Sequence, residues 1–236
     1  MAVVIPAHDE EVLIERCLSA VVRAVAHARE RDPDLVATVV VVLDACTDGT
    51  AARVRRWPVE AVEISVRRVG AARRVGVAHA LSALVTSSHD TWIAMTDADT
   101  VVPLEWITHQ LDLAEAGADL VLGTVRPDFA DLSARHADYW RATHHRGRPP
   151  GNVHGANLGV RASTYTEAGG IPDIPEHEDV ALVRAVRAIG ARERVSDEHE
   201  VETSGRLVGR TPAGYAGFLA RVHAWIDAPP LAAPGA

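Results

Sequence analysis

The chain contains no lysine, since all 24 of its basic residues are arginines. This absence excludes chemistry that needs an amine side chain, such as a P-loop lysine or a lysine that forms a Schiff base. Acidic residues number 32, so the formal net charge is −8. We therefore do not expect nucleic acid as a partner, because phosphate binding needs a basic surface.

Cysteines and long apolar runs are also scarce. Cys17 and Cys46 are too few for a disulfide framework or a cysteine-based zinc site, and we expect reduced thiols. No apolar run approaches the about 20 residues of a membrane-spanning helix. The chain opens with MAVVIPAHDE, which lacks the basic start and long apolar core of a signal peptide. These features predict a soluble cytoplasmic protein without a transmembrane segment.

Short apolar runs typical of strands alternate with longer segments of helical periodicity. In the first such segment Leu13, Cys17, Val21 and Val25 recur every four residues, as on one face of a helix. The predicted strands are 2–5, 36–43, 59–66, 91–96 and 119–125, and the predicted helices are 10–28, 71–86 and 103–116. This alternation predicts an α/β fold, with a mostly parallel central sheet and helices on both faces.

The pattern becomes less regular after residue 125. We predict a helix at 131–143, a loop at 144–152, a short strand at 154–160 and a helix at 178–189. A last helix carries an apolar stripe formed by Tyr215, Phe218, Leu219, Val222, Trp225 and Ile226. Its single arginine favours packing in the core or in a homodimer over docking to a membrane. We expect one domain over 1–228 and a disordered tail at 229–236.

Acidic residues follow three of the predicted strands. The first strand is followed by HDEE (8–11), the second by DACTDGT (44–50) and the fourth by DADT (97–100). Parallel strands end at one edge of a sheet, where ligands of such folds bind, so these acids should share a cleft. They would repel one another unless a cation compensated their charge. Mg²⁺ or Mn²⁺, bound through carboxylates and a phosphate, would suit that position.

Each acidic cluster also has a simpler interpretation when it is considered alone. Asp9 or Glu10 is typical of a helix N-terminus, and Asp44 with Asp48 is typical of a turn. Two aspartates separated by one residue occur often by chance. The recurrence of acids at three equivalent strand ends favours the shared site.

Five segments, in order along the chain, resemble family 2 glycosyltransferases of the GT-A fold. They are VVIPAHDEE (3–11), VVVLDACTDGT (40–50), GAARRVGVAHA (70–80), TDADT (96–100) and GANLGVRASTYTEAGGIPDIPEHEDVAL (155–182). The third segment carries Arg74 where asparagine is usual. The resemblance covers about residues 2–190 and implies a Rossmann-like sandwich. Its nucleotide-binding half would span about 1–100, and its acceptor-binding half about 101–228.

The resemblance also implies a role for individual positions. The backbone around Pro6, Ala7, His8 and Asp9 and the carboxylates of Glu10 and Asp44 are implied to hold the nucleoside base and ribose. Arg73 would lie near the nucleotide. Asp97 would approach the ribose or the metal, Asp99 would coordinate the Mg²⁺ or Mn²⁺ that bridges the diphosphate, and Asp179 would be the general base. For the last of these a helix cap at Glu178-Asp179 is the simpler alternative.

The implied reaction moves a sugar from a nucleoside-diphosphate sugar to a hydroxyl acceptor. The cation would neutralise the leaving group, and a carboxylate would take the proton of the acceptor. One such displacement inverts the anomeric configuration. A sugar-phosphate nucleotidyltransferase is one alternative, but its glycine-rich, lysine-containing N-terminal loop is missing. The other is a non-catalytic sugar-nucleotide-binding protein, which the retained Asp97, Asp99 and Asp179 disfavour.

Four basic side chains stay open between a functional and an ordinary surface role. His154 and His177 could bind the metal or the diphosphate, or could simply be solvated. Arg206 and Arg210 could clamp a phosphate or an acidic acceptor, or could form surface ion pairs.

Overall fold

The structure, a computed structural model, describes residues 1–84, 86–147, 152–209 and 214–228. Strands and helices alternate along most of these residues. The strands are β1 (Ala2–Ala7), β2 (Thr38–Asp44), β3 (Glu60–Ile64), β4 (Trp92–Met95), β5 (Thr100–Val101), β6 (Leu120–Pro127), β7 (Leu158–Arg161) and β8 (Glu193–Thr203). The helices are α1 (Ile14–Arg31), α2 (Thr50–Val54), α3 (Val69–Ala83), α4 (Trp106–Glu115), α5 (Ala134–Thr143), α6 (Ala162–Glu167), α7 (Glu178–Ala188) and α8 (Tyr215–Asp227).

The strands form one sheet in the order β3-β2-β1-β4-β7-β6-β8-β5. The neighbours among β3, β2, β1 and β4 are parallel. Because β7 is antiparallel to both β4 and β6, β6 points in the same direction as β4. At the far edge β5 is antiparallel to β8. The prediction of an α/β fold with a mostly parallel sheet is therefore confirmed.

Both faces of the parallel part of the sheet are covered. On one face Val4 and Val42 pack in a cluster with side chains of α3 and α7. Helix α3 lies so close to the sheet that a Cβ at Gly76 would come within 2.5 Å of the Cγ1 of Val4. On the opposite face Val3 and Ile5 are fully buried as well, and α1 and α4 contact each other and strands β4, β5 and β8.

The predicted elements are present, but one begins later than expected and several further elements were not predicted. The segment expected as a strand at 154–160 begins with a 3₁₀ turn at Gly155–Asn157, and β7 starts only at Leu158. Strand β8 was not predicted, because ERVSDEHEVET is polar and mostly part-exposed until Val201 and so lacks an apolar run. The short elements α2, α6 and β5 were also not predicted.

The chain divides into two compact units. One comprises Met1–Arg126 with Arg146–Thr203, and the other comprises Pro127–His145 with the described residues from Ser204 onward. In the second unit α5 and α8 are joined by stacked rings of His136 and His223, with centroids 3.4 Å apart.

In the apolar stripe of α8, Leu219 and Ile226 are buried, whereas Phe218 and Trp225 are exposed. A single domain over 1–228 and a homodimer through α8 both stay predictions. The predicted disordered tail at 229–236 lies outside the described residues. Within the described ranges, no helix combines the length and the apolar character that crossing a membrane would require.

Candidate active site

The three acidic loops lie at the same edge of the sheet. They follow the carboxyl ends of β2, β1 and β4, which are parallel neighbours. The first and second loops are joined directly, since the Asp9 carboxylate accepts the backbone N–H of Thr47 at 2.6 Å. That hydrogen bond is the main reason why the pKa of Asp9 lies below its usual value. The loops are thus built as one surface.

Arg73 lies buried between two acidic side chains and joins two parts of this surface. Its Nη2 donates to Oδ1 of Asp97 at 2.5 Å, and its Nη1 donates to Oε1 of Glu178. The side chains of Arg73 and Glu178 are each only 4% exposed, whereas Asp97 is 35% exposed. The guanidinium therefore connects the loop after β4 with the first residue of α7, 105 positions from Arg73 along the chain.

Asp179 is attached to the same arrangement through a glycine. Its Oδ2 accepts the N–H of Gly155 at 2.8 Å, and its Oδ1 accepts the N–H of Val180 at 2.8 Å. A Cβ on Gly155 would overlap the guanidinium nitrogens of Arg73, so a side chain at this position would displace the arginine. Asp97, Glu178 and Asp179 thus lie around the guanidinium of Arg73.

The electrostatics reflect this concentration of charge. Burial alone would lower the pKa of Arg73, but the charges of Asp97 and Glu178 raise it well above its ordinary value. Burial raises the pKa of Glu178, although the positive charge of Arg73 acts to lower it. At neutral pH Arg73 is therefore permanently charged. Its positive charge compensates the negative charges of Asp97 and Glu178.

Asp44 holds the backbone that leads into α3. Its Oδ1 accepts the N–H groups of Val66 and Arg67 at 2.7 and 2.8 Å, and its Oδ2 accepts that of Arg68 at 2.8 Å. Arg67 has a φ of 56°, in the left-handed region, which three hydrogen bonds to one carboxylate help to maintain. The ring Nδ1 of His8 donates to the carbonyl of Asp44 at 2.6 Å.

The remaining predicted residues of the nucleotide half lie in β1 or directly after it. Pro6 and Ala7 are inside β1, and Pro6 pairs with Val42 of β2. Glu10 is buried, and its N–H donates to the hydroxyl of Thr50 at 2.8 Å. Asp48 accepts the N–H of Thr50 at 2.9 Å, so the turn interpretation holds for this residue.

Asp99 contacts β8 rather than Arg73. Its Oδ1 accepts the hydroxyl of Thr203 at 3.1 Å. The Thr100 hydroxyl in turn donates to that of Thr203 at 3.0 Å. Helix α1 also supports the loop after β4, since the thiol of Cys17 donates to the carbonyl of Asp97 at 3.3 Å. Burial raises the pKa of Cys17, so the thiol keeps the proton that it donates.

Several residues of this arrangement were not predicted from the sequence. Glu178 was noted only as the neighbour of Asp179, and Gly155 and Thr203 were given no role. Gly155 lies in one of the five quoted segments, so the sequence did carry a signal for it. His177 has a left-handed φ of 61° at the start of α7, and Arg210 lies outside the described residues.

Solved structures share this fold. The mannosyltransferase PcManGT from Pyrobaculum calidifontis, in complex with GDP-Man and Mn²⁺, matches with a TM-score of 0.65 and 21% identity over 89% of this chain and 58% of that chain. S. aureus TarS in complex with UDP matches with a TM-score of 0.60 and 15% identity, over 86% of this chain and 60% of that chain. Glucosyl-3-phosphoglycerate synthase from Mycobacterium tuberculosis, in complex with Mn²⁺, UDP and phosphoglyceric acid, matches with a TM-score of 0.53 and 19% identity, over 83% of this chain and 67% of that chain.

These likenesses confirm the GT-A fold that the resemblance implied. The chain spans about three fifths of the length of the first two chains, 58% and 60%. No curated protein matches it. The sequence profile of the family described as Glycosyl transferase family 2 matches residues 2–166, more than half of the 236 residues. The chain therefore belongs to glycosyl transferase family 2.

Proposed function

We propose that this chain transfers a glycosyl group from a nucleoside-diphosphate sugar to a hydroxyl acceptor, with inversion at the anomeric carbon and with the help of a divalent cation. Membership of family 2 supports glycosyl transfer. The observation that carries the proposal is the buried Arg73, which holds Asp97 and Glu178 at its two ends. It brings the proposed donor side, at Asp97 and Asp99, close to the proposed base, at Asp179.

Asp97 and Asp99 fit a hard divalent cation such as Mg²⁺ or Mn²⁺. Both offer carboxylate oxygens, which these ions prefer. Both side chains are partly exposed. The Oδ1 of Asp97 accepts from Arg73, and the Oδ1 of Asp99 accepts from Thr203. Two of the similar structures hold Mn²⁺ together with a nucleotide or nucleotide sugar. A bound cation would supply positive charge to the diphosphate as it leaves.

Asp179 suits the role of general base because its carboxylate is held in a fixed orientation. Two backbone N–H groups bind it, one at each oxygen, and each oxygen keeps a further lone pair. In the proposed step the acceptor oxygen bonds to the anomeric carbon while the bond from that carbon to the diphosphate breaks. The electron pair leaves with the nucleoside diphosphate, and the acceptor proton passes to Asp179.

The nucleotide contacts of Pro6, Ala7, His8, Glu10 and Asp44 stay predictions. For Asp44 the geometry supports an indirect contribution, in which the carboxylate fixes the backbone at 66–68 and the carbonyl fixes the ring of His8. A sugar-phosphate nucleotidyltransferase is not favoured, because the matched family is a glycosyltransferase family.

The first prediction concerns the cation. Asp99→Asn removes a charged metal ligand, so transfer from GDP-mannose or UDP-glucose in the presence of Mn²⁺ should fall about 10³-fold, which equals about 4 kcal/mol of lost stabilisation. The rise in Tm that Mn²⁺ with GDP or UDP gives the wild type should shrink. Asp34→Asn, at an exposed position after α1, is the matched control. Unchanged turnover in Asp99→Asn would refute the metal role.

The second prediction concerns the base. Asp179→Asn keeps the shape of the side chain but cannot take a proton, so kcat should fall about 10²- to 10⁴-fold. The Tm shift on binding Mn²⁺ with the nucleotide should be retained, because the donor side is intact. Asp173→Asn is the control, since this exposed carboxylate pairs with Arg68 and lies six positions before Asp179. A kcat that is equal in both variants would exclude Asp179 as the base.

The third prediction concerns Arg73. Arg73→Met leaves Asp97 and the buried Glu178 without their shared partner, which should lower the free energy of unfolding by about 3–5 kcal/mol. Arg74→Met, an exposed neighbour in the same helix, should change it by less than about 0.5 kcal/mol. Both changes in the free energy of unfolding would be measured by urea unfolding.

The defect of Arg73→Met should also depend on pH. Burial raises the pKa of Glu178, and loss of Arg73 removes the charge that opposes this rise. The folded variant then binds more protons than its unfolded chain, so its stability falls as pH increases. The defect should be smaller at pH 5 than at pH 8. An equal defect at both values would show that Arg73 does not act through these carboxylates.

A further inference from the structure

A second group of metal-binding side chains lies away from the acidic loops. His109 in α4 and Glu198 and His199 in β8 each offer one ligand atom, and all of these atoms lie within 4.8 Å of one another. We propose that these three residues bind a transition-metal ion, with Zn²⁺ as the best-fitting one. The proposal does not depend on the glycosyl-transfer activity.

The distances between the ligands suit a small tetrahedral ion. The Nδ1 of His109 lies 3.6 Å from Oε2 of Glu198, and the rings of His109 and His199 have centroids 4.5 Å apart. Zinc bonds of about 2.0–2.1 Å place neighbouring tetrahedral ligands about 3.3 Å apart. The 3.6 Å pair is close to this spacing, and rotation of the side chains would bring the other ligand atoms, which lie within 4.8 Å of one another, nearer to it.

The other nitrogen of His109 already has the partner that metal-binding histidines need. Its Nε2 lies 2.8 Å from the hydroxyl of Ser196. A metal on Nδ1 leaves the proton on Nε2, which then donates to Ser196 and fixes the orientation of the ring. Ser196 thus serves as the outer support of the site.

The ligand types separate this site from the one proposed at Asp97 and Asp99. Two imidazoles and one carboxylate favour Zn²⁺ over Mg²⁺, whereas two carboxylates favour the harder ions. The side chain of Glu198 is 73% exposed and that of His109 is 14% exposed. The site is therefore open to solvent on one side, where an ion can enter and a water can supply the fourth ligand.

A metal here would connect α4 to β8. The buried Asn157 donates a hydrogen bond from its Nδ2 to the carbonyl of His199 at 3.3 Å. The Oδ1 of Asn157 accepts the indole N–H of Trp106 at 2.9 Å. Four residues along β8 from His199, about 13 Å in an extended strand, Thr203 donates to Asp99. Binding would thus stabilise the strand that supports Asp99.

The test is a titration of the metal-free full chain with ZnCl₂, followed by calorimetry and by thermal unfolding. The wild type should bind one Zn²⁺ at this site and gain in Tm. His109→Gln and His199→Gln should each reduce the affinity at least about tenfold, because each removes one of three ligands. His89→Gln, in which an 81% exposed histidine is changed, is the matched control.

Two further measurements distinguish this site from Zn²⁺ binding at the acidic loops and from misfolding of the variant. Asp99→Asn should keep the Zn²⁺ affinity of this site, because Asp99 is not one of its three ligands. The visible spectrum of bound Co²⁺ should show tetrahedral nitrogen and oxygen coordination in the wild type and lose it in His109→Gln, whose far-UV circular dichroism should equal that of the wild type. Failure of the wild type to bind Zn²⁺, or equal binding by His109→Gln and His89→Gln, would overturn the proposal.

Discussion

A buried arginine that two carboxylates must neutralise is the constraint on which the site depends. Removing a guanidinium from water is unfavourable by several kcal/mol, and only close, well-aligned anions offset it. Arg73 obtains them from Asp97, after β4, and from Glu178, at the start of α7. Two segments that are 81 positions apart in the sequence are thereby held at a common point.

The rest of the site is arranged around this pairing. Gly155 is a glycine because Arg73 occupies the space of a side chain, and the backbone N–H of Gly155 then fixes Asp179. Asp44 fixes the backbone that leads into the helix of Arg73. In β8, the hydroxyl of Thr203 donates to the carboxylate of Asp99. The carboxylates of Asp44, Asp97, Asp99 and Asp179 are thus each oriented by a neighbour before any ligand arrives.

The sequence alone predicted the elements whose signal is local. Strands β1, β2 and β4 are short apolar runs, and their order with the helices was enough to predict one edge where the acidic loops meet. It also indicated Arg73, Asp97, Asp99 and Asp179 through the resemblance to family 2. Strand β8 was missed because its residues are polar and its place in the sheet is decided by tertiary pairing.

Partners that are distant in sequence could not be predicted. Nothing near Arg73 indicates that it binds Glu178, since the pairing arises only when α3 and α7 pack on the same face of the sheet. Asp44 shows the same limit. The resemblance to family 2 implied a nucleotide contact for Asp44, but not that its carboxylate accepts hydrogen bonds from three backbone groups 22 to 24 positions away.

The most direct test of this account is a crystal structure of the chain with Mn²⁺ and the nucleoside diphosphate that it binds best. The account predicts that the ion lies on Asp99 and on the Asp97 oxygen that Arg73 leaves free, while Arg73 still contacts Glu178 and Asp179 faces the bound nucleotide. An ion bound elsewhere, or an Arg73 that has left both carboxylates, would contradict it.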